Sequence, residues 1–171
     1  MKRLTVKGKS RNPIRSDDMQ RRLLVLSCSQ RKRDLNNSPA IDVYDGPFFR
    51  SLRKNMQNDL DVMILSAKYG LIDSDTLITK YDQKMTRARA NSLRVETTQK
   101  LRAKLDSRIY VDIFFELGKI YLEAIGINSE DYQNIELKFD KGPRYERAHN
   151  LKEWLMIGNK KLSKASRRFV R

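Results

Sequence analysis

Four short stretches of this chain carry strand signals, three of them mostly aliphatic or aromatic: Leu23 to Ser27, Val62 to Ser66 and Tyr110 to Phe115, with Ile135 to Phe139, where apolar and charged residues alternate, as the fourth. Continuous apolar runs of this length read as strands covered on both faces, the habit of parallel sheets. Segments with helical spacing separate them, so the pattern predicts an α/β fold: a single domain with a mainly parallel sheet flanked by helices. Pro47 suits the first turn of a helix reaching to about Met56, where a missing amide costs nothing, and Phe48, Phe49 and Leu52 give that helix a core-facing stripe. The longest helix is expected from about Gln83 to Asp106, where Met85, Arg89, Leu93, Thr97, Leu101 and Leu105 recur every four residues. Glu116 to Gly126 reads as another helix, closed by a left-handed Gly126, and Glu146 to about Ile157 as the last, ending at Gly158.

Two of the strands run straight into polar clusters. The first meets Ser27-Cys28-Ser29-Gln30-Arg31-Lys32, and the second Ser66-Ala67-Lys68-Tyr69-Gly70-Leu71. Open α/β sheets carry their ligand chemistry just beyond the carboxyl ends of such strands, so the two clusters sketch one site.

Charge narrows the choice of partner. The 171 residues include 36 basic and 21 acidic side chains, a formal net charge of +15, and such an excess points to a polyanion, nucleic acid first. Residues 1–21 form a basic N-terminal arm and residues 159–171 a basic C-terminal tail around an α/β domain at 22–158. The arms carry Lys2, Arg3, Lys7, Lys9, Arg11 and Arg15 at one end and Lys160, Lys161, Lys164, Arg167, Arg168 and Arg171 at the other. Such segments have too little apolar surface to offset the entropy of ordering and become fixed only on a partner; the alternative is a pair of solvated tails. No apolar run is long enough to span a bilayer and no signal-peptide pattern opens the chain, so no membrane partner is expected and the setting reads as cytoplasmic. With one cysteine, Cys28, and one histidine, His149, there is neither an internal disulfide nor zinc-ligand spacing. No Walker, Rossmann or Gly-x-Ser-x-Gly pattern is present, and no cofactor is expected.

The chemistry-bearing residues each have a plainer alternative. Ser66 and Tyr69 offer donors, acceptors and a stacking face, Gly70 lets backbone approach a ligand, and Lys68 supplies a cation. Asp82, beside Tyr81, could assist at a developing oxocarbenium centre or activate water; otherwise it caps the helix that follows while Tyr81 packs. Asp45, in the turn Tyr44-Asp45-Gly46, is a second carboxylate that could equally cap a helix. Cys28 reads as a small buried hydrophobe, His149 as a helix-surface residue and Trp154 as core.

The run Leu65 to Ile72, followed by Asp75, Thr79, Tyr81 and Asp82, resembles a segment of the peroxide-stress YaaA proteins. Small YaaA-like proteins are similar at Leu26-Ser27-Cys28-Ser29-Gln30-Arg31-Lys32, Tyr44-Asp45-Gly46, Leu117-Gly118-Lys119-Ile120-Tyr121, Gly142 and Trp154-Leu155. The resemblance spans roughly Leu23 to Leu155 and implies an α/β fold and DNA binding linked to limiting oxidative damage. Similar Tyr-Gly segments accompany enzymes of the tRNA-guanine transglycosylase type, which implies handling of a base or its glycosidic bond. The proline that precedes the tyrosine in that family is Lys80 here.

Together these readings give a DNA- or RNA-binding protein with a nucleobase-directed site, an N-glycosidase or base transferase. Asp82, Asp45 and Ser66 are its catalytic candidates. Ser27, Ser29, Tyr69, Gly70 and Tyr81 would hold base or sugar, and Arg31, Lys32 and Lys68 phosphate. The alternatives are a non-catalytic nucleic-acid-binding protein, stress-protective or structural, that relies on its arms, and a small-nucleotide hydrolase. If the arms neutralise six or more phosphates, affinity for an oligonucleotide should fall by about 10³-fold between about 50 and 200 mM salt. Deleting both arms should flatten that dependence, as measured by fluorescence anisotropy.

Overall fold

The computed structural model describes residues 21–107 and 110–166, with side chains through Ile157. Its centre is β1 (Arg21–Ser27), paired in parallel with β3 (Leu60–Ser66) on one edge and β6 (Tyr110–Glu116) on the other. The sheet is completed by β4 (Gly70–Asp73), antiparallel to β3, and β7 (Glu136–Phe139), parallel to β6, giving the order β4-β3-β1-β6-β7. All four predicted strands are present; β4 was hidden in the expected loop.

Both faces are covered, which is why the central strands carry no polar alternation. Leu24, Leu26, Val62, Ile64 and Phe114 pack under α1 (Ala40–Val43), α2 (Pro47–Lys54) and α5 (Arg144–Ser166). Leu23, Val25, Met63, Leu65 and Phe115 meet α3 (Arg87–Asp106) and the segment around α4 (Lys119–Leu122). From β1 the chain moves to β3 and then returns past β1 to β6. Right-handed crossovers running in opposite directions must cover opposite faces, and α2 and α3 do so. The reversal lies between β1 and β6, the crevice where doubly wound sheets bind ligands.

Several helix ends differ from expectation. α3 starts at Arg87, where the Thr86 hydroxyl accepts from the Arg89 amide at 3.2 Å, so Asp82 is not its cap. Glu116 belongs to β6, and the helix expected over Glu116 to Gly126 shrinks to the single turn of α4. Gly126 is not left-handed; its amide donates to Thr98 Oγ1 at 2.9 Å, and a Cβ there would come within 3.1 Å of that oxygen. α5 continues through Gly158 to Ser166, making it longer than α3 and carrying the domain into the expected tail. A helical glycine costs only about 1 kcal/mol, and the good helix formers after it outweigh that. Arg21 likewise belongs to β1, where it pairs with Asp61. The basic arms otherwise lie outside the described residues. No helix among the described residues is long and apolar enough to cross a membrane.

One buried polar cluster ties α5 to the sheet. The Trp154 indole donates to Asp112 Oδ2 at 2.8 Å, and the Arg22 guanidinium stacks 3.8 Å from the Trp154 ring and lies 3.8 Å from the same carboxylate. Burial lowers the Arg22 pKa and Asp112 opposes that shift. Asp112→Ala should therefore cost about 3–5 kcal/mol in urea unfolding, because it strands a buried guanidinium. Lys138→Ala, which removes the half-exposed partner 3.6 Å from Asp112, should cost less than about 1 kcal/mol.

Candidate functional site

β1 and β3 end side by side: Ser27 is in register with Leu65, and the Cys28 amide donates to the Leu65 carbonyl at 2.9 Å. At the next residue the chain must reverse into β4. Ser66 Oγ accepts from the amides of Lys68 at 3.2 Å and Tyr69 at 3.1 Å, and Gly70 takes a φ of +69°, which a residue bearing a Cβ adopts only under strain. From α3, Arg89 clamps this tip by donating to the carbonyls of Ala67 at 2.8 Å and Lys68 at 2.9 Å.

Behind the tip, hydroxyls from distant segments converge. A two-residue ladder between β2 (Ser38–Pro39) and β5 (Leu77–Ile78) positions the following chain, so that Tyr81 Oη lies 2.7 Å from Ser66 Oγ and 2.9 Å from Tyr44 Oη. The Tyr69 ring stands edge-on to Tyr81 at 5.4 Å, and its hydroxyl donates to the Thr79 carbonyl at 3.2 Å. Burial pushes the Tyr44 phenol up to about 12 and raises Tyr81 as well, so this chain of hydroxyls stays neutral at ordinary pH.

Two cations flank the aromatic cluster: Lys32 Nζ lies 4.2 Å from the Tyr81 ring centre, and Lys68 Nζ lies 5.2 Å from that of Tyr69. Burial lowers the Lys32 pKa, while Cys28 and Asp82 act against the shift. In front of them opens a cavity of about 220 Å³ whose walls include Cys28, Ser29, Lys32, Asp82, Met85 and Tyr121. Asp82 is exposed and makes no hydrogen bond or ion pair among the described residues.

The expected site residues thus divide. Ser29, Lys32 and Asp82 line the cavity, with Tyr69, Gly70, Tyr81 and Lys68 forming the structure beside it. Ser66 is 0 % exposed and spends its oxygen on the turn and on Tyr81, so it is a support for the site and not a catalyst. Asp45 is also corrected: its carboxylate pairs with Arg31 at 3.3 Å, Arg50 at 3.6 Å and Arg53 at 3.2 Å, so it organises the loop. Arg31, expected on phosphate, is engaged by Asp45. Ser27 turns its hydroxyl to the Glu116 carbonyl at 3.5 Å. Cys28 is not a sealed hydrophobe; it is half-buried, lines the cavity and sits 3.2 Å from the Tyr121 hydroxyl. His149 is exposed, 3.4 Å from Glu153 on its own helix.

Tyr44, Arg89 and Tyr121 are not among the site residues that the sequence points to. The turn motif and the Leu-Gly-x-x-Tyr pattern held the two tyrosines in view, but nothing local marks Arg89 as a clamp. Among the described residues, no group of three or more histidine, cysteine or acidic side chains is placed to hold a metal. Ser66→Ala should cost about 1–3 kcal/mol in urea unfolding, because it strands the Lys68 and Tyr69 amides and leaves the Tyr81 hydroxyl with Tyr44 alone. Tyr44→Phe, which removes only the far end of the chain of hydroxyls, should cost about 1 kcal/mol.

A search of curated proteins finds no match. Among solved structures, one described as a crystal structure of AF0587, a protein of unknown function, is similar at 14% identity with a TM-score of 0.46. The likeness covers 80% of this chain and 44% of that one, so this chain spans less than half of that protein's length. Residues 23–153, from the third residue of the sheet's central strand to the middle of α5, match the Family of unknown function (DUF6884), and the chain belongs to that family.

Proposed function

We propose that this protein binds nucleic acid and acts on the base–sugar bond of a nucleotide held in the cavity beyond β1. The observation that carries this reading is Asp82: an exposed carboxylate, unpaired among the described residues, shares a small cavity with Lys32 and Cys28 beside a cluster of tyrosines. At about 220 Å³ the cavity falls below the usual range for drug-sized ligands, which suits a single base or sugar. Asp82 would take a proton from water as the oxygen bonds to the anomeric carbon. The C–N bond breaks, its electron pair passes to the base, and Lys32, made more acidic by burial, returns a proton to the departing nitrogen. In a transferase an incoming base replaces water. The formal charge of +15 supports a polyanionic substrate, and kinship with YaaA-like proteins and a cytoplasmic setting belong to the same proposal.

The test is release of free base from single-stranded DNA and RNA, followed by chromatography and mass spectrometry. Asp82→Asn should lower release by about 100-fold or more while leaving oligonucleotide affinity within about twofold. Retained binding with no free base or abasic product from any substrate would replace this reading with non-catalytic nucleic-acid binding.

A further inference from the structure

Glu116 ends β6 at the reversal point of the sheet and is 0 % exposed, yet neither of its carboxylate oxygens has a hydrogen bond. Among the described residues its one close cation is Arg147 of α5, 3.2 Å from Oε1. Arg147 is itself half satisfied: one nitrogen donates to the Leu117 carbonyl at 3.2 Å, while Nε is buried without a partner. On its other side Arg147 lines a cavity of about 520 Å³ between α4 and the loop that opens α5. Lys119 and Lys141 also line it, both exposed and neither in an ion pair among the described residues. The acids in its wall are already engaged: Glu123 pairs with Arg87 at 3.3 Å, and Asp140 accepts from the Gly142 amide at 3.3 Å and from Asn150 at 3.2 Å. A partly buried, under-bonded guanidinium with two uncommitted lysines around a cavity of this size is a donor set lacking an acceptor.

We propose that this cavity binds a phosphate-type oxyanion through Arg147, Lys119 and Lys141, and that Glu116 takes up a proton when the anion engages Arg147. The site is separate from the Asp82 cavity, on the other side of α4, and does not depend on the base-release reading. Burial holds the Glu116 pKa up at about 7; Arg147 and Arg144 of α5 pull it down and Asp140 pushes it up. An anion that draws Arg147 away removes the nearest group favouring the carboxylate, so the neutral acid gains. Binding and protonation therefore reinforce each other, and affinity rises as pH falls through neutrality.

Sulfate tests this cleanly because its charge is constant across the range. In a titration of the full chain followed by amide shifts of Lys119, Lys141 and Gly142, saturable binding is expected with Kd on the order of 1 mM. Affinity should be about tenfold higher near pH 6 than near pH 8.5. Glu116→Gln should hold the tighter value at both pH values, and Lys119→Ala and Lys141→Ala, both at exposed positions, should each weaken binding several-fold. Asp82→Asn should bind sulfate like the parent, so loss of base release leaves this result standing. A 5′-phosphorylated oligonucleotide displacing sulfate better than its unphosphorylated twin would support the site and assign it to a strand end. Displacement by inorganic phosphate with no such preference would support it as a site for a free anion. Absence of saturable shifts at these amides, binding indifferent to both lysine substitutions, or a pH dependence that survives Glu116→Gln would overturn the proposal.

Discussion

With β3 and β6 on its two edges and helices over both faces, β1 has its backbone paired and its side chains buried along its length. Polar chemistry can then gather only where the strand ends, since an unpaired polar group farther back would bear the full desolvation penalty. Everything of interest in this protein follows from that. The reversal of the chain's path between β1 and β6 leaves the tips of β3, β1 and β6 side by side, and the loops that follow them meet over one edge of the sheet.

That edge is divided by α4. Tyr121 faces the cavity that holds Cys28, Lys32 and Asp82, whereas Lys119 and Leu122 face the cavity that holds Arg147. Had Glu116 to Gly126 formed the long helix its composition suggests, the two hollows would not lie on either side of one short turn. The chain instead remains extended through Glu116, because β6 pairs with β1 as far as Glu116, in register with Leu26, and with β7 as far as Phe115.

Buried charge is handled differently at the two positions along β6. Asp112 shares its carboxylate among Arg22, Lys138 and the Trp154 indole, a cluster that joins sheet to helix. Glu116, four residues on, has one cation within ion-pair distance and no hydrogen bond among the described residues. The first arrangement fixes a helix in place; the second leaves a carboxyl group that burial holds up at about 7, where a change in its nearest cation is enough to shift its protonation.

The strands, the parallel sheet and the start of α2 at Pro47 were legible in the chain because covered strands and helix starts are written in neighbouring residues. So was the buried place of Trp154, and the edge at which polar residues would gather. What each polar residue does there was not. Ser66 and Asp82 look equally chemical in sequence, yet one is consumed by a turn and a tyrosine while the other is left open. Asp45 reads as a catalytic carboxylate or a helix cap until the fold brings Arg31, Arg50 and Arg53 to it. Tyr44, Ser66 and Tyr81 become one chain of hydroxyls only when the β2–β5 ladder and the β3–β4 turn bring them together. Hydrophobic periodicity is a local property and survives in a linear string, whereas the pairing of hydroxyls and charges depends on register and crossover, which exist only once the chain has folded.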